Sequence, residues 1–204
     1  MIISLTGYMG CGKSSVAKEL AKLLSLPYID LDDEIIAKTG QSIEEIFSEG
    51  GEAHFRDIEY QVLADILTSH DNSNDPNDTI YLFPKSPNNI KGNLIISLGG
   101  GTVTDPRSAQ LIQEHTHCIW LEASEETILS HLIGKNTNNE LITNEQKISS
   151  RPLLSANNGI KNLSARIKSM LEERTPIYRQ AANNIVNCDN KTPLQIAQSI
   201  IVLL

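Results

Sequence analysis

The sequence predicts an α/β fold in which a five-stranded parallel sheet is flanked by helices on both faces. Apolar runs of strand length alternate with stretches of helical periodicity along the whole 204-residue chain. The length fits one domain, because domains commonly contain roughly 100–200 residues. Repeated strand–helix alternation implies right-handed crossovers, which place the strands in parallel with helices on either side. We therefore expect residues 1–204 to form a single domain.

The first part of the chain supplies two strands and several helical stretches. Strands are predicted at Ile2–Thr6 and Pro27–Ile29, because both runs are short and apolar. A stretch of helical periodicity follows the first strand. Two more follow the second strand, and they are separated near Gly50 and Gly51. The later stretch has one apolar face, formed by Phe55, Ile58, Val62, Leu63, Ile66 and Leu67.

The second part of the chain completes the alternation. Asp105 and Pro106 mark the start of a helix, because aspartate is a favoured N-cap and proline suits the first helical position. Leu194–Leu203 is predicted to close the chain as a helix. The remaining strands are predicted at Leu94–Leu98, Cys118–Leu121 and Ile185–Val186.

Two polar segments interrupt this pattern. Residues 69–93 are rich in Asn, Asp, Pro and Ser around a small apolar island at Ile80–Phe83, and we expect a surface insertion there. Residues 135–158 are polar and rich in Asn, and they lie between two helical stretches. Loops of this length are uncommon in compact domains and are often lids or disordered connections. The second segment is therefore a candidate lid.

Composition excludes several classes of function. The formal net charge is -8, and an acidic surface argues against nonspecific binding to nucleic acid or anionic membrane. No apolar run approaches the roughly 18 residues of a membrane span, and Met1 leads directly into the first strand without a secretory signal. The scattered cysteines Cys11, Cys118 and Cys188 have no metal-binding spacing. These features favour a reduced, cytoplasmic protein.

A phosphate-binding motif lies between the first strand and its helix. Gly7–Ser14 reads GYMGCGKS and fits G-x-x-x-x-G-K-[ST]. The glycines let backbone N–H groups turn towards phosphate oxygens, and the helix that begins near Lys13 adds the positive end of its dipole. Lys13 would neutralise phosphate charge, and the Ser14 hydroxyl would bind Mg²⁺. A chance glycine-rich turn is the alternative; the motif alone predicts nucleotide binding without defining a reaction.

The strand Leu94–Leu98 ends in three glycines, Gly99–Gly101, where many phosphate-loop enzymes carry a metal-binding aspartate. Carboxylates are found instead after the second strand. Asp30 and Asp32 lie at the carboxyl edge of the sheet, where Asp30 could help bind Mg²⁺ and Asp32 could reach a substrate hydroxyl. Helix capping explains the pair equally well. The glycines indicate either a close approach of backbone to ligand or a flexible turn.

Three arginines could hold an anionic substrate. Arg56 and Glu59 are three residues apart on a predicted helix and could pair, and an arginine held in this way presents a rigid fork to a carboxylate. A surface ion pair is the alternative. Arg179 follows Pro176, which is expected to end the preceding helix. Arg151 lies at the far end of the predicted lid and could close over the nucleotide.

Taken together, these residues resemble the shikimate kinase family. The resemblance implies a P-loop kinase fold with a mobile lid, a helical substrate-binding segment at about 32–68 and a monomeric enzyme. It also implies ATP-dependent phosphorylation of the shikimate 3-hydroxyl in aromatic amino-acid synthesis. The motifs that carry it are Gly7–Ser14, Asp30–Asp32, Ser42–Phe47, Gly51–Glu52, Phe55–Arg56, Gly99–Gly101, Arg151–Leu154 and Arg174–Arg179.

The resemblance also implies roles for individual residues. Shikimate binding falls to Asp32, Arg56, Gly100 and Arg179. Nucleotide binding falls to Gly10, Cys11, Gly12, Lys13, Ser14, Ser15 and Arg151. Arg56 and Arg179 would clamp the shikimate carboxylate, and Asp32 would bind ring hydroxyls and act as base. Lys13 and the lid residue Arg151 would complete the catalytic set, while Ser14 would bind Mg²⁺ directly and Asp30 through water.

The chain departs from the family pattern in its long insertion, its Asn-rich lid and its lack of an arginine between Leu121 and Ser150 that could pack on adenine; Lys135 is a weak substitute. Two other functions stay open. One is a related kinase acting on gluconate or a nucleotide, although a nucleotide substrate would not obviously need Arg56, Asp32 and Arg179 beside a glycine run. The other is a non-catalytic nucleotide sensor, which would be expected to lose its metal or base carboxylates.

Overall fold

A computed structural model describes residues 1–71, 93–135, 141–143 and 159–204. Most of the predicted insertion at 69–93 lies outside the described residues. So does most of the predicted lid at 135–158, including Arg151. Within the described parts of the chain, no helix combines the length and apolar character of a membrane span.

The predicted five-stranded parallel sheet is confirmed. Its strand order is β2-β3-β1-β4-β7, and every neighbouring pair is parallel. Two short strands, β5 and β6, form a separate antiparallel pair where the predicted lid begins. The strands are β1 (Ile2–Thr6), β2 (Tyr28–Asp30), β3 (Leu94–Ser97), β4 (His117–Glu122), β5 (Ile133–Lys135), β6 (Leu141–Thr143) and β7 (Asn184–Asn187).

Helices connect these strands and cover both faces of the sheet. Asp105 caps α4 by accepting a hydrogen bond from the backbone N–H of Arg107, as its position before Pro106 predicted. The helices are α1 (Lys13–Leu24), α2 (Leu31–Thr39), α3 (Ile43–Asp71), α4 (Pro106–His115), α5 (Glu125–Leu132), α6 (Gly159–Ala181) and α7 (Pro193–Ile201). A short 3₁₀ turn, Thr102–Thr104, precedes α4.

Successive strand residues face opposite layers of the core. Ile96 and Trp120 pack in one cluster with residues of α3 and α6, whereas Ile95 and Ile119 pack in another with residues of α1 and α7. This alternation follows from the two-residue period of a strand. Because both faces are covered, the strands read as nearly continuous apolar runs.

Two helix predictions had different outcomes. The predicted separation near Gly50 and Gly51 is confirmed, since Gly51 interrupts α3 with φ 70° and ψ -169°. The predicted end of a helix before Pro176 is wrong, because α6 continues through it to Ala181. Pro176 and Glu172 are both exposed, so water can satisfy the carbonyl that loses its helical partner.

Candidate active site

The phosphate-binding loop lies between β1 and α1, as the motif predicted. Gly7, Gly10 and Gly12 have positive φ, which a residue with a side chain rarely adopts. The loop therefore turns its backbone around the start of α1. The ammonium group of Lys13 lies over this turn and donates hydrogen bonds to the carbonyls of Gly7 (2.8 Å) and Tyr8 (3.2 Å).

A cavity of about 420 Å³ opens beside the loop at the carboxyl edge of the sheet. The predicted nucleotide-binding residues within the loop all line it: Gly10, Cys11, Gly12, Lys13, Ser14 and Ser15. Asp30, Asp32 and Gly100 line the same cavity, so the strand ends and the loop enclose one space. Lys191 and Pro193, beyond β7, form part of its wall and were not predicted from the sequence.

Ser14 and Asp30 lie in direct contact. The Ser14 hydroxyl donates to Asp30 Oδ2 at 2.5 Å and lies 3.4 Å from the Ser97 hydroxyl. Asp30 also caps α2 by accepting from the backbone N–H of Asp32. One oxygen of the Asp30 carboxylate caps the helix and the other contacts Ser14, so helix capping does not exclude metal binding by Asp30.

The oxygen atoms of Ser14 and Asp30 suit Mg²⁺, a hard cation that commonly keeps several waters and binds substrate phosphates. Among the residues that the structure describes, no group of three His, Cys, Asp or Glu side chains is placed to hold a metal ion. A magnesium ion here would therefore depend on the nucleotide for part of its coordination.

Asp32 lies in a strongly acidic setting. Burial, together with the nearby carboxylates of Asp30 and Glu59, raises the pKa of its carboxyl group to about 6, and Lys13 opposes this rise. The group is still mostly ionised at neutral pH. Asp32 can therefore accept a proton from a hydroxyl placed against it.

Arg56 is a buried residue of α3. Its Nη1 donates to Glu59 Oε2 at 2.6 Å and its Nη2 donates to Glu52 Oε1 at 3.0 Å. Arg56 is only 9% exposed and Glu59 is fully buried, so a surface ion pair does not describe this contact. The predicted pairing of Arg56 with Glu59 is confirmed.

The glycine run packs closely against this arginine. A Cβ atom on Gly101 would lie 2.1 Å from Arg56 Nη2, well inside contact distance. The Gly100 carbonyl accepts hydrogen bonds from the Tyr178 hydroxyl (2.5 Å) and from Arg174 Nη1 (3.4 Å). The run is therefore held by α3 on one side and α6 on the other, which excludes a flexible turn.

The prediction that Arg179 joins Arg56 is not met. Arg179 is 65% exposed and contacts Glu122 and the ring of Trp120, both in β4. Arg56 lies against the residues that follow β3. Because β1 lies between β3 and β4, the strands beside Arg56 and Arg179 are roughly 10 Å apart.

Arg174, which lies on the same helix as Arg179, contacts the glycine run instead. It is 8% exposed and bonds to Gly100, next to the glycine that touches Arg56. Arg174 was not predicted because Pro176 was expected to end the helix. In a helix that continues through Pro176, Arg174 and Tyr178 are four residues apart and lie on one face.

The parallel sheet and the phosphate-binding loop at its carboxyl edge define this chain as a P-loop kinase-fold protein. The sequence profile of a family described as shikimate kinase matches residues 9–73 and 87–204. The chain belongs to the shikimate kinase family.

Individual relatives agree with this assignment. A shikimate kinase from Salinibacter ruber is 33% identical over 93% of this chain and 78% of its own length. One from Thermus thermophilus is 33% identical over 98% of this chain and 87% of its own length. Among solved structures, a shikimate kinase from Acinetobacter baumannii in complex with shikimate has a TM-score of 0.75 and 26% identity, covering 99% of this chain and 91% of that one.

Proposed function

We propose that this protein transfers the γ-phosphoryl group of ATP to the 3-hydroxyl of shikimate, giving shikimate 3-phosphate and ADP for aromatic amino-acid synthesis. The observation that carries the proposal is the contact of Arg56 and Arg174 with the glycine run, because Gly100 of that run lines the cavity together with Asp32 and Lys13. Two guanidinium groups suit a carboxylate, and the glycine run allows a close approach of its backbone to the substrate ring.

Lys13 and the loop backbone handle the phosphates. Phosphoryl transfer needs mainly positioning and stabilisation of charge, since its transition state spreads negative charge over the transferred group. Lys13 would leave its two carbonyl partners for phosphate oxygens, because a charged partner gives a stronger hydrogen bond than a carbonyl. The start of α1 adds its dipole at the same place.

Asp32 acts on the attacked hydroxyl. As the 3-oxygen forms its bond to phosphorus, the bond between that phosphorus and the bridging oxygen of ADP breaks, and the hydroxyl proton passes to Asp32. The raised pKa of Asp32 favours this role, because a base with a pKa of about 6 holds a proton better than an ordinary aspartate and is still ionised at neutral pH.

Ser14 and Asp30 would hold Mg²⁺, Ser14 directly and Asp30 through water. The ion would neutralise charge on the phosphates. Ser14 and Asp30 would thereby fix one side of the nucleotide. The 2.5 Å contact between the Ser14 hydroxyl and the Asp30 carboxylate keeps both groups in place beside the loop.

Other features of the proposal come from the family. Arg151 would close over the nucleotide from a lid, residues 32–68 would form the substrate-binding segment of a single domain, and the protein would be a monomer that binds neither nucleic acid nor membrane. Cytoplasmic location is supported by the three cysteines, which are all free and buried.

An ATP-consumption assay across candidate acceptors tests the proposal. We expect ADP formation with shikimate and little or none with gluconate or nucleoside monophosphates, and the product should carry its phosphate on the 3-oxygen. Asp32→Asn provides the control that retains the loop but lacks the base. Faster turnover with gluconate or a nucleotide, or nucleotide binding without turnover of any acceptor, would contradict it.

A further inference from the structure

We propose that Thr102 is a positioning residue that, through Glu59, holds Arg56 in the orientation that receives the substrate carboxylate. The residue lies at the start of the 3₁₀ turn after the glycine run and is fully buried. The inference rests on the proposed function for the identity of the carboxylate. It concerns a hydroxyl group whose hydrogen-bond partners, Glu59 and Gly99, lie outside the nucleotide loop.

The contacts form a short chain. The Thr102 hydroxyl donates to Glu59 Oε1 at 2.7 Å, and the other oxygen of that carboxylate accepts from Arg56 Nη1 at 2.6 Å. Both oxygens of the fully buried Glu59 are therefore bonded within the protein. Because the second bond fixes the plane of the carboxylate, it also fixes the direction in which the planar guanidinium group can pair with it.

Arg56 has few other anchors. Its second partner, Glu52, is 47% exposed at the side chain, so solvent screens that contact. Its Nε is buried and has no hydrogen-bond partner in the described part of the chain. Glu59 is therefore the buried anchor of Arg56, and the orientation of Glu59 depends on Thr102.

Packing leaves little room for a substitute partner. A Cβ atom on Gly99 would lie 2.8 Å from Glu59 Oε1 and 3.0 Å from the Thr102 hydroxyl, so the backbone of Gly99 lies directly against both groups. The same hydroxyl also lies 3.2 Å from the Gly99 carbonyl. A water molecule could not replace the hydroxyl without moving this backbone, so loss of the donor should leave Glu59 Oε1 unpaired.

Three variants separate the hydroxyl from the shape of the residue. Thr102→Val keeps the volume and removes the donor, whereas Thr102→Ser keeps the donor. Thr104→Val is the matched control, since the Thr104 hydroxyl lies in the same turn but donates to the Gly101 carbonyl at 2.6 Å, whereas the Thr102 hydroxyl donates to Glu59.

Steady-state kinetics should show a selective effect. We expect Thr102→Val to raise the KM for shikimate roughly 5- to 20-fold, as expected for partial loss of one hydrogen bond to a charged group. The kcat and the KM for ATP should change less than about twofold, and Thr102→Ser and Thr104→Val should resemble the wild type. An unchanged KM for shikimate in folded Thr102→Val, or an equal rise in both KM values, would overturn the proposal.

A second measurement reports on Arg56 without any substrate. The buried Nε–H of Arg56 should give a protected resonance in ¹H–¹⁵N spectra, assigned by its loss in Arg56→Lys. We expect Thr102→Val to shift or broaden this resonance and to speed its hydrogen exchange, while Thr104→Val leaves it in place. An unchanged resonance in Thr102→Val would refute the positioning role of Thr102. Failure of the wild type to phosphorylate shikimate would instead refute the proposed function, and the resonance would still test the positioning role.

Discussion

Replacing Arg56 with alanine should impair shikimate binding and leave ATP binding nearly intact. Arg56 lies on α3 against the glycine run, whereas the nucleotide loop belongs to β1 and α1. The substitution removes one of the two guanidinium groups proposed to hold the carboxylate, and Arg174 stays in place. The effect should therefore fall on the KM for shikimate.

The magnitude follows from the contacts of Arg56. A hydrogen bond to a charged group contributes about 1.5–3 kcal/mol. Arg56→Ala removes up to two such bonds to the carboxylate, and Arg174 still binds the carboxylate, so the loss of binding free energy should be about 2–4 kcal/mol. That corresponds to a rise in KM on the order of 30- to 1,000-fold. Removing Arg56 also leaves Glu59 buried without its cation, and breaking such a pair commonly destabilises a protein by ~3 kcal/mol or more.

Kinetics and unfolding must therefore be measured together. Burial raises the pKa of Glu59 and Arg56 opposes that rise, so Glu59 should take up a proton in Arg56→Ala. The double variant Arg56→Met/Glu59→Gln removes both charges and should recover most of the lost stability without recovering shikimate affinity.

Arg107→Ala is the matched control for this prediction. Like Arg56, Arg107 pairs with two carboxylates, those of Asp57 and Asp105, and lies over an aromatic ring, that of Tyr60. These partners of Arg107 belong neither to the glycine run nor to the lining of the cavity, so its loss should leave both KM values unchanged. Equal increases in the KM for ATP and for shikimate in Arg56→Ala, or recovery of shikimate affinity in the double variant, would refute the reasoning.

Four further predictions concern the rest of the site and the fold. Lys13→Ala should lower kcat at least 100-fold with an unchanged unfolding transition, and unaltered turnover would exclude its role. Because the pKa of Asp32 is raised to about 6, kcat/KM for shikimate should fall as pH drops through about 6; a limb near 4, measured in a pH-rate profile, would contradict this. Arg174→Ala should raise the KM for shikimate at least tenfold, whereas Arg179→Ala should change it less than twofold, and the reverse order would restore the original assignment. Asp105→Ala removes an N-cap and should lower Tm by roughly 2–4 °C, from about 1 kcal/mol. The pKa of Asp105 is lowered by its bond to Arg107, so this difference should be full at neutral pH and shrink as acid protonates the wild type; a pH-independent difference in calorimetry would count against it.

The fold was largely predictable because its signals are local. The three central strands of the main sheet, β3, β1 and β4, each contain a short apolar run, and burial on both faces makes such runs conspicuous. Pro176 was the exception, because a proline is tolerated within a helix only where its surroundings compensate for the lost hydrogen bond. Pro176 and Glu172 are exposed, so water can bond to the Glu172 carbonyl. Arg174 and Tyr178, before and after Pro176, both bond to the Gly100 carbonyl and hold the helix in place.

The site was predictable where one element or one turn carries it. The nucleotide loop depends on motif spacing, and the Arg56–Glu59 pair depends on the helical repeat. Arg174 was missed because its place depends on which face of α6 meets the glycine run. Lys191 was missed because it reaches the cavity only through the packing of distant segments, which leaves no spacing signal in the sequence.

The central claim is that Arg56 and Arg174 together hold the carboxylate of shikimate while Asp32 faces its 3-hydroxyl. A crystal structure with shikimate and a non-hydrolysable ATP analogue tests it most directly. We predict carboxylate oxygens within hydrogen-bond distance of both guanidinium groups and the 3-oxygen within hydrogen-bond distance of Asp32. A carboxylate bound at Arg179, or a 3-hydroxyl turned away from Asp32 and the γ-phosphate, would contradict the account.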